Sequence, residues 1–409
     1  MGKWGLTGAT IVTPDETIKN AGISIQGDKI ERVSGGPVRG VDAFDAGDTV
    51  LAPGLINAHD HLLGTYYPKV GNGPYENWLP WDNDLKSAPV YEERQQIENR
   101  DLYLLGAYRN LVSGVTIVSD HIPHFVSEPF LDMLPVKAIR EYALAHSVAS
   151  FALAWGDEIA VEYQKAIDKD IPFITHIAEG FDDETKQDLK TLERRGGLGD
   201  HSVLVHGIAF TESDIETIKK KGASVVWCGD SNTFMFNATA NVKKMLEAGV
   251  NLCIGTDSPM SGGLNLLFEM KFDKDYYTKT YGAELSDERI VKMVTSNPAH
   301  AFKLKKNGHI KPGYLADFAL FAKKSANPYS TIVQAEIRDV ELVVVNGRPA
   351  FGSARFRGLF DSQKVACQEV TIDGARKLVV GDLTGLLRRI NRAVGFKKKL
   401  PFLPVELDG

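Results

Sequence analysis

Residues 51–62 read Leu-Ala-Pro-Gly-Leu-Ile-Asn-Ala-His-Asp-His-Leu, an apolar run that ends in two histidines separated by one residue. Because side chains alternate between the two faces of an extended strand, His59 and His61 are expected to point to the same side. Two imidazoles that converge in this way suit one divalent cation. A pair of surface histidines at a strand edge has the same spacing, so the motif alone leaves both interpretations open.

The composition of the 409-residue chain is that of a soluble globular protein. Hydrophobic residues make up 43% and charged residues 24%, and the net charge of -6 argues against a nucleic-acid partner. The three cysteines, Cys228, Cys253 and Cys367, form no close pair, which favours a reducing compartment over a disulfide framework or a zinc knuckle. No secretion signal and no run long enough to span a membrane is found in the sequence. We expect a cytoplasmic protein with no membrane partner, and the sequence leaves a homo-oligomer open.

The two ends of the chain have a similar pattern of short β-like runs separated by turn residues. We predict that residues 1–50 and 311–372 pair into a small β-sandwich domain, with the middle of the chain inserted between them. Residues 373–409 are predicted to form a helical tail with one apolar and one basic face. Packing on the rest of the protein or on a second subunit, and a role at a membrane surface, are the alternatives for this tail.

The middle of the chain, residues 51–310, alternates apolar β-branched runs with helical patterns. Together with the opening stretch, the predicted strands number eight, and the other seven are residues 114–119, 136–143, 148–155, 172–175, 203–205, 223–227 and 250–255. Strands that alternate with helices pair in parallel, and eight such units predict an α/β fold of the (β/α)8 TIM-like barrel class. The long loop 62–90 after the first strand is predicted to be functional.

Five chemically active side chains stand at predicted strand ends, where barrels of this kind place their active sites. They are His59 and His61 on the first strand and His176, His206 and Asp257 on three others. A single histidine at a strand end is usually structural, but five such groups on four strands favour a metal site.

Glu179 follows His176 by three residues, which places a carboxylate at the mouth of the predicted barrel. Metal-assisted hydrolysis needs a base that takes a proton from the activated water and passes it to the leaving group. A solvated loop carboxylate is the alternative for Glu179.

Five stretches carry a resemblance to a known family: Ala-Pro-Gly-Leu-Ile-Asn-Ala-His-Asp-His, Thr-His-Ile-Ala-Glu, Leu-Val-His-Gly, Gly-Thr-Asp-Ser and Gly-His-Ile-Lys-Pro-Gly-Tyr-Leu-Ala-Asp-Phe. In sequence and order they resemble the amidohydrolase superfamily, specifically its mononuclear branch of chlorohydrolases and of guanine, adenosine and methylthioadenosine deaminases. The resemblance implies one divalent metal ion, zinc or alternatively iron, with the ligands His59, His61, His176 and Asp257. It further implies that Glu179 shuttles the proton, that His206 polarises the substrate and that Asp257 also orients the attacking water.

The chain departs from the family pattern at three places. The predicted fourth strand contains no lysine where binuclear relatives carry a carbamylated one, which favours a single metal ion. Residues 228–232 read Cys-Gly-Asp-Ser-Asn where the deaminases often have Cys-Pro-x-Ser-Asn, and residues 258–263 after Asp257 also differ. The substrate of any one relative is therefore not transferred to this chain.

Three further residues are candidate substrate contacts. Trp78 and Trp81 lie in the long first loop, where they could stack on a heterocycle or pack in the core. His121 follows the second strand and either contacts substrate or has a structural role. No function is assigned to four histidines on predicted helices or turns, His146, His201, His300 and His309.

We therefore predict a metal-dependent hydrolase of a non-peptide carbon–nitrogen bond in a small cyclic molecule. Deamination of a heterocyclic amine by attack of metal-bound hydroxide is the leading reaction. Opening of a cyclic amide, as the resemblance to imidazolonepropionases allows, is the alternative and releases no ammonia. A non-catalytic scaffold that keeps the barrel is a third interpretation, but the complete set of ligands with its proton shuttle argues against it.

Overall fold

The computed structural model describes residues 2–407. Met1 and residues 408–409, which the predicted first and last domains include, lie outside the described residues. The described part of the chain forms eighteen strands: β1 (Lys3–Val12), β2 (Thr17–Gln26), β3 (Lys29–Ser34), β4 (Asp42–Asp45), β5 (Thr49–Pro53), β6 (Leu55–Asp60), β7 (Val115–Asp120), β8 (Lys137–Ala138), β9 (Ala143–Ser147), β10 (Phe173–Ile177), β11 (Ser202–His206), β12 (Ser224–Trp227), β13 (Asn251–Ile254), β14 (Phe318–Ala322), β15 (Val340–Val345), β16 (Arg348–Ser353), β17 (Cys367–Ile372) and β18 (Ala375–Val380).

Between residues 2 and 407 the chain also forms fifteen α-helices: α1 (Trp78–Ser87), α2 (Pro89–Gln95), α3 (Asn99–Leu111), α4 (His124–Ser127), α5 (Ile159–Lys169), α6 (Asp188–Arg194), α7 (Glu212–Lys221), α8 (Gly229–Phe236), α9 (Val242–Ala248), α10 (Leu266–Tyr281), α11 (Asp287–Met293), α12 (Ser296–Ala301), α13 (Pro328–Val333), α14 (Arg357–Ser362) and α15 (Leu383–Val394). Their ends follow local chemistry. In α7, for example, Thr211 and Asp214 form a capping box, and Gly222 ends the helix in the left-handed conformation.

Both ends of the chain contribute to one ten-stranded mixed sheet. Its order is β17-β18-β16-β15-β14-β5-β1-β2-β3, with β4 beside β1. The two ends meet where β5 pairs antiparallel with β14, Leu51 opposite Leu320. One side of the sheet buries large apolar side chains, among them Trp4 and Phe318. The pairing of the two ends agrees with the sequence prediction, whereas the β-sandwich and the domain boundaries stay predictions.

The remaining eight strands form two parallel sheets, β6-β7-β8 and β13-β12-β11-β10-β9, which alternate with helices along the chain. The α/β fold with parallel strands is therefore confirmed. Most of these strands are buried along their whole length, which explains why they read as continuous apolar runs. A backbone hydrogen bond from Asp257 N to His59 O (3.0 Å) joins the residues after β13 to β6.

Two predicted strands are wrong in position. The third, 136–143, contains the two-residue β8 and only the first residue of β9, and residues 148–155 form no strand. The fourth strand is instead β9, which also contains no lysine. Its position was missed because the apolar run 148–155 includes residues outside the core: Trp155 is partly buried and lines a cavity, and Leu153 is 47% exposed. The long loop 62–90 also contains α1 and the first residues of α2.

The predicted helical tail, 373–409, begins with a strand, because β18 extends the mixed sheet before α15. Helix α15 buries its apolar side chains Leu386, Leu387 and Ile390. Arg389 on the same helix makes a bidentate ion pair with Asp101 of α3 (2.9 and 3.0 Å). The tail thus packs on the protein itself. No helix within residues 2–407 is long and apolar enough to cross a membrane.

Candidate metal centre

The four predicted metal ligands converge at the ends of the parallel strands. His59 Nε2 lies 3.3 Å from His176 Nε2 and 3.8 Å from Asp257 Oδ1, and His61 Nε2 lies 3.6 Å from the same oxygen. The ligand atoms of His59, His61 and Asp257 all lie within 4.8 Å of one another, as do those of His59, His176 and His206. His59 in β6 and His61, in extended conformation just after β6, both face the site, as the strand alternation predicts.

The donor atoms at this point fit a divalent cation. Ser231 and Ser261 donate hydrogen bonds to Asp257 Oδ2 (2.8 and 2.6 Å), whereas the buried Oδ1 has no hydrogen-bond partner in the described chain. A buried carboxylate oxygen without a partner is costly unless a cation lies beside it. Burial lowers the pKa of His59 and of His176, so both imidazoles are neutral and can act as metal ligands.

Hydrogen bonds from neighbouring residues fix the orientation of the candidate ligands. His176 Nδ1 contacts the carbonyl oxygen of His146 at 2.7 Å, which turns Nε2 toward the other ligands. Burial opposes ionisation of Asp257, but His61, His206 and the two serine hydroxyls outweigh this effect and lower its pKa. The carboxylate is therefore ionised and held by one oxygen, with the other facing the histidines.

A buried charged network beneath the ligands was not predicted from the sequence. Asp60, between the two β6 histidines, points away from the site and pairs with Arg109 of α3 (2.8 and 3.0 Å). Arg109 Nη2 also donates to Thr256 Oγ1 (2.8 Å), next to Asp257. Because both charges are almost fully buried, their pairing compensates for lost solvation. The network ties the first ligand strand to the last ligand.

Glu179 and His206 form a second pair beside the ligands. His206 Nε2 lies 3.5 Å from Glu179 Oε1, and His206 Nδ1 contacts Asn232 Oδ1 at 2.9 Å. Burial raises the pKa of Glu179 well above its usual range, and the charges of Asp257 and Asp188 add to this effect. Burial also lowers the pKa of His206. The pair therefore sits where a proton can be held close to the candidate ligands.

Three residues at this site have an unusual backbone conformation. Ala178, His206 and Asp257 have φ values of 51°, 77° and 52°, in the left-handed region that non-glycine residues rarely adopt. Such conformations persist where the surrounding structure enforces them, and they are common at functional sites. All three positions are at or next to a candidate site residue.

A cavity of about 380 Å³ opens above the ligands. Trp78 and Trp81, predicted as substrate contacts, line it together with Tyr67, Tyr91 and Trp155. This volume lies in the range of small-molecule sites, about 300 to 1,000 Å³. The structure thus gives the site an aromatic wall.

Of the two histidines His121 and His146, only His146 lines the cavity. His121 is fully buried behind His176, its Nε2 contacts Ala145 O (3.1 Å), and it is not among the lining residues. His146 lies on β9 and lines the cavity, with its ring centroid 4.7 Å from that of Trp78 and 4.6 Å from that of Trp155. Burial lowers the pKa of His146 to about 3, which makes it a neutral polar group.

His146 was missed because the fourth strand was placed five residues too late. The segment Ala-Leu-Ala-His-Ser ends in a histidine, like the other site strands, and this pattern was the available signal.

The chain is similar to several known enzymes. The amidohydrolase family model matches residues 156–350. A 5-methylthioadenosine/S-adenosylhomocysteine deaminase from Clostridium tetani is 27% identical, over 87% of this chain and 95% of the relative. The zinc complex of atrazine chlorohydrolase from Arthrobacter aurescens has a TM-score of 0.78 at 17% identity, covering 96% of this chain and 100% of that one. An adenosine deaminase from Xanthomonas campestris with bound zinc has a TM-score of 0.73 at 17% identity, covering 95% and 97%.

The fold and the histidine-rich site support an enzyme with a divalent metal. The family match over residues 156–350 and the deaminase relatives agree with the resemblance to the amidohydrolase superfamily that the motifs carry. They also support a hydrolase that acts on carbon–nitrogen bonds other than peptide bonds.

Proposed function

We propose that the protein hydrolytically deaminates a small heteroaromatic amine, with one divalent ion, zinc by preference, held by His59, His61, His176 and Asp257. One observation carries the proposal. Three imidazoles and an unpartnered carboxylate oxygen converge beside the buried pair of Glu179 and His206. The name of the deaminase from Clostridium tetani supports this reaction over others of the superfamily.

The residues of the chain have distinct roles in this proposal. When bound, the ion lowers the pKa of a water molecule toward about 7 and acts as a Lewis acid. Glu179 takes a proton from the attacking water and returns it to the departing amine, a role that its raised pKa suits. Asp257, fixed through Oδ2, orients that water. His206, whose Nδ1 is held by Asn232 Oδ1, presents Nε2 to the Glu179 carboxyl group at 3.5 Å, and the proton held between these two groups stabilises negative charge that develops on the substrate.

The aromatic wall indicates the class of substrate. Indole rings of Trp78, Trp81 and Trp155 offer flat apolar surfaces to a heterocycle. Neutral His146 lies between Trp78 and Trp155 and offers a ring nitrogen without a partner in residues 2–407. A purine with an exocyclic amine, alone or as a nucleoside, fits these features. Adenosines substituted at the 5′ position are therefore the first compounds to test.

We further propose that the two parallel sheets close into an eight-stranded barrel. The hydrogen bond between Asp257 N and His59 O supports closure on one side. In the same proposal, residues 51–310 form the barrel domain, and residues 1–50 and 311–372 form the β-sandwich domain. A small molecule is the expected partner, in the cytoplasm.

Elemental analysis and an ammonia-release assay test the proposed function. We expect about one zinc ion per chain and ammonia release from an aminopurine. Glu179→Gln is expected to keep its metal and fold and to lose about 100-fold or more in kcat, since proton transfer typically contributes 10²- to 10⁴-fold. Glu193→Gln, an exposed change on α6, is the matched control and should leave kcat unchanged.

An active Glu179→Gln variant would remove Glu179 from the mechanism. Ring opening without ammonia in the same screen would instead favour the cyclic amide reaction.

A further inference from the structure

The two serines that hold Asp257 come from segments that are not adjacent in sequence. Ser231 belongs to the first turn of α8, and Ser261 lies in the loop between β13 and α10. Both hydroxyls donate to the same oxygen, Oδ2, and leave Oδ1 facing His59 and His61. The position of Oδ1 thus depends on how these two segments sit relative to each other.

Glu269, in the first turn of α10, contacts both segments. Its Oε1 accepts a hydrogen bond from the backbone N–H of Asp230 at the start of α8 (3.0 Å). Its Oε2 lies against Gly263 at the end of the Ser261 loop, where an added Cβ would collide with it. Glu269 is fully buried, and Oε2 has no hydrogen-bond partner in the described chain. The Glu269 carboxyl group therefore contacts both of the segments that carry the serines.

Packing at the start of α8 also explains why residue 229 is a glycine, where the family pattern often has a proline. Asp273, one turn after Glu269, is fully buried and presses on the backbone of Gly229, where an added Cβ would collide with its Oδ1. Proline, which the related deaminases often have at this position, carries such a carbon. On the solvent side, Lys69 pairs with both oxygens of Asp230 (2.7 Å each). The start of α8 is thus held from both sides by residues outside the proposed reaction.

We propose that Glu269 is a positioning residue for Asp257, because it fixes the start of α8 against the 258–263 loop so that Ser231 and Ser261 leave Oδ1 for the metal ion. This inference rests on the proposed metal site. Burial raises the pKa of Glu269 well above its usual range. Its Oε1 acts as a hydrogen-bond acceptor for the Asp230 N–H, and an amide oxygen can replace it in this role.

Two substitutions at Glu269 separate this role from simple packing. Glu269→Gln keeps the acceptor for the Asp230 N–H, whereas Glu269→Met keeps the approximate volume and removes the acceptor. We expect the Gln variant to bind zinc like the wild type. The Met variant should bind it about tenfold or more weakly, the usual effect of losing a group that orients a metal ligand. For an active substrate, kcat should fall in the Met variant while KM changes little.

The control is Asp339→Leu. Asp339 is likewise buried and accepts a backbone N–H, that of Glu336 (2.8 Å), but it lies in the turn Ile337–Asp339 before β15. The Asp339→Leu variant should be less stable than the wild type but should bind zinc with the affinity of the wild type. Should Glu269→Met fail to fold, Gly263→Ala displaces the same carboxyl group and is expected to weaken zinc binding in the same way.

Zinc dissociation constants, measured by competition with a chromogenic chelator, decide between the outcomes. Wild-type affinity in the Met variant, or equal losses in the Gln and Met variants, would overturn the role of Glu269. A wild-type protein that takes up no divalent metal would overturn the proposed function itself. Because the assay needs no substrate, the two failures are distinguishable.

Discussion

Asp188 connects the helix α6 to the backbone that presents Glu179. Its Oδ2 accepts the N–H of Ala178 (2.9 Å), the residue in the left-handed conformation just before Glu179. Burial raises the pKa of Asp188 from 3.8 to about 7, although the bond from Ala178 opposes the shift. When ionised, Asp188 also raises the pKa of Glu179. One carboxyl group thus affects both the geometry and the electrostatics of the proposed proton shuttle.

Asp188→Asn should change how stability depends on pH. In the folded protein the carboxyl keeps its proton up to about pH 7, whereas in the unfolded chain it ionises near 3.8. Between these values the folded state binds more protons, so the contribution of Asp188 to the free energy of unfolding falls as pH rises. The Asp188→Asn variant keeps a hydrogen-bond acceptor for the Ala178 N–H. Because its side chain does not titrate, its free energy of unfolding should not show this decrease with pH. Urea unfolding at pH 4.5 and 7.5 measures the difference, and an equal gap at both pH values would contradict the prediction.

At the residue scale, the convergence of the candidate ligands could be predicted because each one ends a buried apolar run. For His59, His176 and Asp257 this needed only the rule that parallel strands end at one edge, whereas the choice of these residues over His206 as ligands came from the family resemblance. Arg109 and Glu269 could not be predicted in this way. Both lie inside helices, and their roles come from partners more than 35 residues away in the chain.

Helix α15 shows how an amphipathic pattern is resolved at the scale of an element. Its sequence is compatible with a membrane surface or with packing on the protein, because either environment accepts one apolar face. The ion pair between Arg389 and Asp101 of α3 and the burial of Leu386 and Ile390 favour packing. Periodicity therefore predicted the helix, whereas only the fold identified what its apolar face contacts.

Leu386→Ala should lower the free energy of unfolding by about 2–5 kcal/mol, the usual cost of such a buried truncation. Arg388→Ala, an exposed change on the same helix, should stay within about 0.5 kcal/mol of the wild type. Urea titration of both variants measures the effect. Equal stabilities would show that α15 does not pack on the protein in solution.

For the whole molecule, the proposed metal ion should couple site and stability, because its ligands come from β6, β10 and the residues after β13. A ligand that binds only the folded state stabilises it by about 2.7 kcal/mol at 100 times its dissociation constant. We expect exhaustive chelation to lower the Tm and added zinc to restore it. The His61→Ala variant should show a much smaller change in Tm on addition of zinc. If the Tm of the wild type did not change with zinc, that result would contradict the metal site.

The order of the strands in the mixed sheet has a consequence for synthesis on the ribosome. The strand β5 emerges early, but its partner β14 follows only after the whole intervening α/β segment. Until then β5 has one open edge, and unpaired strand edges can associate with other chains. The N-terminal strands therefore complete their sheet late, and a truncated nascent chain that stops before Phe318 would display an aggregation-prone edge.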